Sequence, residues 1–395
     1  MAVTTSALLR IAVVTETYPP EVNGVALSLA RVVEGLRERH HDVQLIRPRQ
    51  PADACAAGER EGALLVRGLP IPRYPHLTMG APAGRLLLKR WRAERPDLVH
   101  IATEGPLGWS ALRAATRLAL PVCSDFRTNF HAYSRHYGIG WLQRPIRAYL
   151  RHFHNRTACT MVPTEALRRE LAADGFENLT VLARGVDTQR FHPRHRRLAL
   201  RAAWGAGPST RVVLCVGRLA PEKNLGLLID AYEAMRRIDA DLRLVFVGDG
   251  PTRRELQRRC PEAIFAGQRA DEELAAHYAS ADLFVFTSMT ETYGNVTPEA
   301  MASGLAVLAF AHAAAGQLIH SGESGLLAPL GDGAAFVRQA ESLVRDRAAA
   351  QAMAERGRER VAELGWGRII DQVEAVHRAV SWQPSRIFAC QRRPA

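Results

Sequence analysis

Two basic residues in the second half of the chain have the spacing expected for chemistry on an anionic substrate. The run VGRLAPEKN carries Arg218 directly after a predicted strand, and Lys223 five residues later near the predicted start of a helix. Two cations at this position can clamp a diphosphate and offset the negative charge that develops on it as it leaves. The alternative is that both are solvated surface cations on a loop.

Two carboxylates follow further along. The run TETYGNVTPEAMASG carries Glu291 and Glu299 with seven residues between them, and Glu291 follows a predicted strand. One carboxylate can bind the hydroxyls of a sugar and the other the hydroxyls of a ribose, while the amides of Gly294, Asn295 and Val296 can face a phosphate. The plainer alternative makes Glu299 a helix-start carboxylate that is favoured by the helix dipole.

A glycine-containing loop near the beginning of the chain is a third candidate. Asn23 and Gly24 follow the first predicted strand and precede a helix-like segment. Such a loop offers free N–H groups and the positive end of a helix dipole to an anion. It can equally be a turn that uses glycine for its permissive backbone. The GxGxxG pattern is missing, so a nicotinamide cofactor is not indicated.

The elements that must position these residues are short apolar runs separated by helix-like segments. The predicted strands are 11–16, 42–47, 97–102, 121–126, 159–164, 179–184, 211–217, 243–248, 263–267, 282–288 and 306–310. Runs that are apolar on both faces predict parallel strands covered by helices. Their alternation with helices predicts an α/β protein with two doubly wound sheets, in which ligands bind beyond the carboxyl ends of the strands.

Length and composition agree with this architecture. The chain has 395 residues, of which 47% are hydrophobic, which favours two domains and excludes a disordered chain or a disulfide-stapled miniprotein. The alternation of predicted strands and helices is interrupted near 188–210. We therefore predict a first Rossmann-like domain over 1–190, a linker over 191–210, a second Rossmann-like domain over 211–370, and a helix end with a basic tail over 371–395.

The combined motifs resemble the retaining nucleotide-sugar glycosyltransferases of family 4. Similar stretches are VPTEAL (162–167), RGVDTQRFHP (184–193), FVGDGP (246–251) and SGESGLLAP (321–329), and the resemblance covers roughly residues 10 to 375. It implies the GT-B fold, with two Rossmann-like domains facing each other across a cleft, of which the domain over 1–190 would bind the acceptor and the domain over 211–370 the nucleotide sugar. RGVD with TETYGNV resembles in particular the branch that contains GDP-mannose-dependent α-mannosyltransferases and sulfoquinovosyl-diacylglycerol synthases.

The resemblance also implies roles for particular residues. Arg218 and Lys223 would hold the donor diphosphate, Glu291 would contact the transferred sugar, and Glu299 would contact the ribose. The remaining implied positions are the base-contacting Gly267, Gln268 and Arg269, the phosphate-facing Gly294, Asn295 and Val296, His131 of DFRTNFHAY beside the reacting centre, and Asn23 and Gly24 near phosphate and acceptor.

One position departs from the family pattern. Where many relatives carry Glu before the last glycine-rich turn, this chain has Gln317, which puts any role for that position in doubt.

The implied reaction retains the anomeric configuration. No protein carboxylate is an obvious covalent nucleophile, so we expect attack on the same face of the sugar, assisted by the departing phosphate. The sequence has no Asp-x-Asp metal motif, and the Arg218–Lys223 pair can take the part that Mg²⁺ plays elsewhere. We therefore expect no metal or other cofactor, the nucleotide sugar being a substrate.

The charge bears on the acceptor. Lys and Arg number 52 against 40 Asp and Glu, a formal net charge of +12. Residues 141–156 place Arg144, Arg147 and Arg151 on one helical stripe, and RLLLKRWR (85–92) is similar. Basic amphipathic helices suit an anionic membrane surface, and ordinary packing of such a helix on the sheet is the alternative. We expect a lipid acceptor and a cytoplasmic protein that can sit peripherally on the inner face of the cell membrane.

Other interpretations remain open at this point. The donor could be UDP-glucose or another UDP-sugar, and the acceptor a polysaccharide or a small polyol. An epimerase or a phosphorylase on the same architecture is a rival enzyme. A non-catalytic nucleic-acid-binding protein would explain the charge, but no helix-turn-helix, RNP-like motif or zinc finger supports it. The scattered cysteines are expected to be buried, unpaired hydrophobes, and the oligomeric state is not predicted.

Overall fold

The computed structural model describes residues 7–21, 23–50, 53, 63–71, 74–127 and 143–382, and they form two compact units. The first contains the described residues up to 127, those of 143–183, and those from Trp366 onward. The second is Arg184–Gly365.

The first unit is built on a parallel sheet of the order β3-β2-β1-β6-β7-β8-β9. Its strands are β1 (Arg10–Val14), β2 (Asp42–Pro48), β3 (Ala63–Val66), β6 (Leu98–Ile101), β7 (Val122–Asp125), β8 (Cys159–Val162) and β9 (Leu179–Val181), and a separate antiparallel hairpin is made by β4 (Gly68–Ile71) and β5 (Tyr74–Gly80). Its helices are α1 (Gly24–Glu38), α2 (Gly84–Ala93), α3 (Pro106–Arg117), α4 (Gln143–His154), α5 (Glu165–Ala173) and α14 (Trp366–Ser381).

The second unit is built on a parallel sheet of the order β12-β11-β10-β13-β14-β15. Its strands are β10 (Arg211–Val216), β11 (Leu242–Val247), β12 (Ile264–Gly267), β13 (Leu283–Phe286), β14 (Ala306–Phe310) and β15 (Leu326–Ala328). Its helices are α6 (Leu198–Ala203), α7 (Leu225–Ile238), α8 (Arg253–Arg259), α9 (Asp271–Ser280), α10 (Val296–Ala302), α11 (Ala313–Leu318), α12 (Gly333–Arg345) and α13 (Arg347–Ala362), with 3-10 turns at Pro193–His195 and Pro221–Lys223.

Both sheets carry an apolar core on each face, as doubly wound sheets do. In the second unit, Val213 and Cys215 point to the face covered by α7, α12 and α13, while Val212 and Leu214 point to the face covered by α9, α10 and α11. The strands are buried on both sides, which is why their sequences are continuous apolar runs. The strand order changes direction at β10, which has β11 on one side and β13 on the other. In open α/β sheets, such a switch point opens a ligand crevice at the carboxyl ends of the strands.

The sequence predicts every long central strand to within about two residues, and the strands β3, β4, β5 and β15 were not predicted. The described cysteines Cys123, Cys159, Cys215 and Cys260 are buried and unpaired, as expected. None of the helices in the described ranges has the length and apolar content needed to span a bilayer.

The division into units differs from the expected domain boundaries at three places. The expected linker 191–210 is part of the second unit, because Phe191 and Trp204 are buried in that unit's core. The segment 184–190 lies in the second unit rather than in the 1–190 domain, because Val186 pairs with Gly365 and packs in the second unit's core. Residues 366–370 lie in the first unit rather than in the 211–370 domain, because Ile369 and Ile370 of α14 are buried in the core of the first sheet.

Helix α14 packs closely on α1 at a glycine. A Cβ atom on Gly35 would stand 1.8 Å from Cδ1 of Ile370. Only a residue without a side chain permits this approach, so Gly35 sets how near the last helix lies to the first.

Candidate active site of the second unit

The carboxyl ends of β10 and β11 come together at two glycines. Gly217 has φ 147° and Gly248 has φ 134°, both in the region that favours glycine. A Cβ atom on Gly248 would stand 2.0 Å from the carbonyl oxygen of Gly217. The loops after these strands therefore touch backbone to backbone, which is typical of sites that a ligand approaches closely.

Lys223 and Glu291 form an ion pair at this edge of the sheet. Lys223 ends the 3-10 turn Pro221–Lys223 after β10, and Glu291 lies in the loop after β13. The Lys223 ammonium contacts Oε1 of Glu291, and the Ser288 hydroxyl donates a hydrogen bond of 2.8 Å to the same oxygen. The pair joins residues far apart in the chain, and the side chains are only 17% and 15% exposed.

Backbone contacts hold both partners in place. The Thr287 hydroxyl donates a hydrogen bond of 2.9 Å to the carbonyl of Lys223, and Nε2 of His312 donates one of 3.1 Å to the carbonyl of Glu291. Burial by itself would raise the pKa of Glu291, but the charge and hydrogen bond of Lys223, the Ser288 hydrogen bond and the nearby His312 together lower it. Glu291 is therefore ionised at neutral pH.

Glu299 has the opposite electrostatic setting. It lies in α10, partly buried, and accepts a hydrogen bond of 2.9 Å from the buried hydroxyl of Tyr278 in α9. Burial raises the pKa of Glu299 to about 7, against the smaller lowering effects of the Tyr278 hydrogen bond and the Arg190 charge. The two carboxylates thus differ in proton affinity because only Glu291 has an ammonium partner.

Between them the chain turns at Gly294, whose φ is +83°. The amides of Gly294, Asn295 and Val296 donate no hydrogen bond to another backbone group within the described part of the chain. Three consecutive amides at the start of a helical turn, beside an ion pair, can receive anionic oxygens.

Arg218 and the loop after β12 are exposed at the same edge. Arg218 follows β10, and Gln268 and Arg269 follow Gly267 at the end of β12, where Gly267 has φ +74°. The structure thus places every predicted donor-site residue of the second unit just after a strand or at a helix start. It joins Lys223 to Glu291 directly, whereas Glu299 contacts Tyr278 instead.

Known proteins match both halves of this architecture. The family model described as "Glycosyltransferase Family 4" matches residues 22–190, and the one described as "Glycosyl transferases group 1" matches residues 210–346. A "GDP-mannose-dependent alpha-mannosyltransferase" of Mycobacterium tuberculosis is 37% identical over 82% of this chain and 85% of its own length. The chain belongs to glycosyltransferase family 4.

A further relative agrees with this assignment to family 4, and a solved structure shows the same fold. A "GDP-mannose-dependent alpha-(1-6)-phosphatidylinositol monomannoside mannosyltransferase" of Mycobacterium tuberculosis is 32% identical over 90% of this chain and 95% of its own length. The crystal structure of Anabaena Alr3699/HepE in complex with UDP and glucose superposes with a TM-score of 0.74 at 19% identity, covering 94% of this chain and 100% of that one. The fold is GT-B, with its two parallel sheets, and the protein is a family 4 glycosyltransferase.

The structure describes two of the three candidate residues that the sequence analysis named in the first half of the chain. Asn23 caps α1: its side-chain oxygen accepts hydrogen bonds from the amides of Val25 and Ala26, and its amide nitrogen donates one of 2.7 Å to Thr17. These contacts give Asn23 a structural role that the sequence analysis did not assign to it. Gly24 is exposed at the start of the same helix. His131 lies outside the described residues.

Sequence reasoning missed an acidic cluster at the carboxyl edge of the first sheet. Glu16 follows β1, Glu104 follows β6 and Asp125 ends β7. The amides of Leu107 and Gly80 donate to the Glu16 carboxylate at 2.9 and 3.2 Å, and burial still raises its pKa to about 7. Their common position at a strand end or within three residues of one is the signal that could have found them.

Glu104 is the most strongly perturbed of the three. It is 4% exposed, and one of its carboxylate oxygens has no hydrogen-bond partner in the described part of the chain. Burial raises the pKa of Glu104 to about 8, with smaller contributions from the charges of Glu16 and Asp125. Perturbed carboxyl groups at a strand edge are typical of functional sites.

The basic helix α4 packs on its own unit. Leu150 and Phe153 are buried in the first unit's core, and Ile146 packs against the same apolar cluster as Leu150. The Arg147 guanidinium contacts Asp174, and Arg144 is exposed. Ile146, Leu150 and Phe153 of the apolar stripe are thus covered by protein, as the packing alternative stated, whereas Tyr149 is 40% exposed.

Proposed function

We propose that this chain is a retaining α-mannosyltransferase that moves mannose from GDP-mannose to a hydroxyl of a membrane glycolipid. The observation that carries the proposal is the 37% identity to a GDP-mannose-dependent α-mannosyltransferase over 82% of the chain. The relative that is named for a phosphatidylinositol monomannoside acceptor supports the lipid part.

Lys223 is the central residue of the proposed donor site. An ammonium has three N–H donors, so Lys223 can keep its contact with Glu291 and still bind a phosphate oxygen. Arg218, exposed at the end of β10, supplies the second cation. Together they would offset the charge that grows on the diphosphate as the bond to the sugar breaks.

The carboxylates and loops would complete donor recognition. Ionised Glu291 accepts hydrogen bonds from mannose hydroxyls, and Glu299 accepts those from ribose hydroxyls. Gly267, Gln268 and Arg269 would contact the base, and the amides of 294–296 would face the phosphates. The first unit would carry the acceptor, with Gly24 and the acidic cluster near it.

The reaction would follow a same-face path. The acceptor oxygen bonds to the anomeric carbon as the bond to the diphosphate breaks, and the acceptor proton passes to the departing phosphate oxygen. Cations and amides fixed before the reaction lower the barrier by orienting the donor and stabilising the leaving group. Transfer would need no divalent cation. Activity that is abolished by EDTA and restored by Mg²⁺ or Mn²⁺, but not by Zn²⁺, would contradict this.

Thermal-shift screening tests the donor. A ligand that binds only the folded state raises the unfolding temperature by mass action. We expect GDP-mannose to stabilise the protein more than UDP-glucose, UDP-glucuronate or ADP-glucose at equal concentration. A larger shift with a UDP-sugar would identify that UDP-sugar as the donor and leave the enzyme class unchanged. Sugar release without any acceptor requirement would favour an epimerase or hydrolase instead.

The substitution Lys223→Arg tests the role of the ammonium. It keeps the positive charge but replaces a compact ammonium with a planar guanidinium, which changes the contact with Glu291. We expect kcat to fall by about 10²-fold, the size of losing one leaving-group donor. The control is Lys89→Arg on the exposed face of α2, for which kcat should stay unchanged.

Helix α2 is the part of the first unit that would meet an anionic membrane. Its Leu87 and Trp91 are buried, while Arg85, Lys89 and Arg92 are exposed and Leu86 is 43% exposed. A basic face with an exposed apolar residue binds anionic lipid surfaces.

Vesicle flotation tests this surface. We expect binding to vesicles that contain phosphatidylglycerol and weaker binding to pure phosphatidylcholine. The variant R85E/R92E should lose most of this binding, while R338E, on the exposed side of α12, should keep it. Equal flotation of all three proteins would argue against α2 as the membrane surface.

A further inference from the structure

Three side chains that bind metals meet inside the first unit, whereas the donor-site residues belong to the second unit. His100 is on β6, Cys123 is on β7 and His377 is on α14. One nitrogen or sulfur atom of each lies within 4.8 Å of the others. All three side chains are buried, with 0% exposure for Cys123 and His377 and 1% for His100.

The ring nitrogens of this cluster lack the partners that buried polar atoms normally have. Nδ1 of His100 and both ring nitrogens of His377 make no hydrogen bond among the described residues. Burial of an unpaired polar atom costs free energy, so such atoms are rare in folded proteins. The edge-to-face contact of the two rings, with centroids 5.1 Å apart, accounts for their packing but not for their nitrogens.

Neighbouring groups fix His100 in an orientation that suits a ligand. Its Nε2 donates a hydrogen bond of 3.1 Å to Oδ2 of Asp125, and Arg127 donates to that same oxygen at 2.6 Å. A carboxylate on one ring nitrogen holds the proton there and leaves the other nitrogen free to bind a cation. Nδ1, the nitrogen without a partner, is the one left free.

We propose that His100, Cys123 and His377 bind one Zn²⁺ ion, which ties α14 to the sheet of the first unit. Two imidazoles and a thiolate are a donor set that zinc favours. Ligand atoms around one tetrahedral Zn²⁺ stand roughly 3.5 Å apart, so small side-chain rotations close the site. The Cys123 thiol gives its proton to solvent as the Zn–S bond forms.

Metal content of the tag-free protein is the direct test. Protein made in zinc-supplemented medium, and protein refolded with Zn²⁺, are freed of loose metal by gel filtration and analysed by mass spectrometry for elements. We expect about one zinc per chain. Absence of metal from both preparations overturns the proposal.

Variants locate the ion. C123S and H377Q should lose at least nine-tenths of the zinc. C159S should keep it, because Cys159 on the next strand lies beside Thr180, 3.3 Å from its hydroxyl. Equal zinc loss in C159S and C123S, or zinc retained in C123S and H377Q, places the metal elsewhere and refutes the site.

A spectroscopic measurement covers the case in which C123S fails to fold. The wild-type protein refolded with Co²⁺ should show the sulfur-to-cobalt charge-transfer band and the visible bands of tetrahedral cobalt, and Zn²⁺ should abolish both. Cobalt without a sulfur band excludes Cys123 as a ligand. These measurements do not involve transfer activity, so they succeed or fail independently of the mannosyltransferase proposal.

Discussion

Lys223 stands out at the scale of single residues. The chain contains only two lysines, Lys89 and Lys223, and every other Lys or Arg position is arginine. A chain that uses arginine almost everywhere but keeps an ammonium against Glu291 indicates that the compact cation itself matters there. This contrast was readable from the sequence, and it strengthens the case for the Lys223→Arg experiment.

The raised pKa of Glu299 gives the donor site a pH dependence. Only the ionised carboxylate can accept hydrogen bonds from two ribose hydroxyls, and with a pKa of about 7 it is mostly protonated at pH 6. We expect the affinity for GDP to fall roughly tenfold between pH 8 and pH 6, as measured by calorimetry. Glu291 adds nothing in this range because its pKa is lowered.

Two variants test whether Glu299 is the group whose titration changes the affinity for GDP. E299Q should bind GDP weakly at both pH values, with the pH dependence gone. E272Q, at an exposed position in α9, should retain the wild-type dependence. A pH dependence that persists in E299Q would mean that another group titrates.

The raised pKa of Glu104 predicts that the stability of the first unit depends on pH. Its pKa is about 8 in the folded protein and 4.5 in an unperturbed glutamate, so between these limits the folded state holds a proton that the unfolded state has lost. The contribution of Glu104 to stability is therefore present below pH 4.5 and is lost as the pH rises to 8. E104Q should gain stability relative to wild type by a few kcal/mol between pH 5.5 and pH 8.5.

Urea unfolding of both proteins at the two pH values measures this difference. The comparison cancels the titration of buried histidines, which acts on both proteins alike. A difference in unfolding free energy that does not change with pH would show that Glu104 titrates normally in the folded protein.

At the scale of elements, the contact between α1 and α14 depends on Gly35. The substitution G35A would force Ile370 to move, since the new Cβ would stand 1.8 Å from its Cδ1. We expect a loss of about 1–3 kcal/mol in unfolding free energy, reduced by the better helix propensity of alanine. I370A in the same chain should recover part of the loss. The control G367A, which has no atom within 4 Å of its new Cβ, should leave the free energy of unfolding unchanged.

Failure of the rescue would be informative. If G35A/I370A lost as much unfolding free energy as the two single variants lose together, the two positions would not be coupled. The packing of α14 on α1 would then not depend on this close approach.

The elements that the sequence predicted are those with the strongest physical signal. Buried central strands are continuous apolar runs, so their positions were found to within about two residues. Strands β4 and β5 carry Pro70 and Pro75, and proline argues against a strand. The Lys223–Glu291 contact could not be predicted as such, because spacing in the sequence places both at strand ends but does not say which side chains touch.

At the scale of the whole molecule, the chain leaves the first unit, builds the second and returns. Helix α14 supplies Ile369, Ile370, Val373 and Val380 to the core of the first sheet. The apolar face of this helix was visible in the sequence, but nothing in the pattern says which of two sheets it covers. This is why the expected boundary at 370 differs from the observed division at Trp366.

A truncation tests that division. A chain that stops at Gly365 should expose the α14 face of the first sheet, so we expect rapid proteolysis of the first unit and strong binding of a hydrophobic dye. The control stops at Trp382 and keeps α14 whole, so its protease resistance should match that of the full chain. Equal resistance of both truncated chains would show that α14 adds little to the first unit.

The return of α14 has a consequence for synthesis on the ribosome. The sheet of the first unit emerges early, but the helix that closes one of its faces emerges only after Arg184–Gly365 has been translated. At cellular translation rates this takes on the order of ten to forty seconds. Throughout that interval the nascent chain presents an uncovered apolar surface, which makes it a natural client for a chaperone.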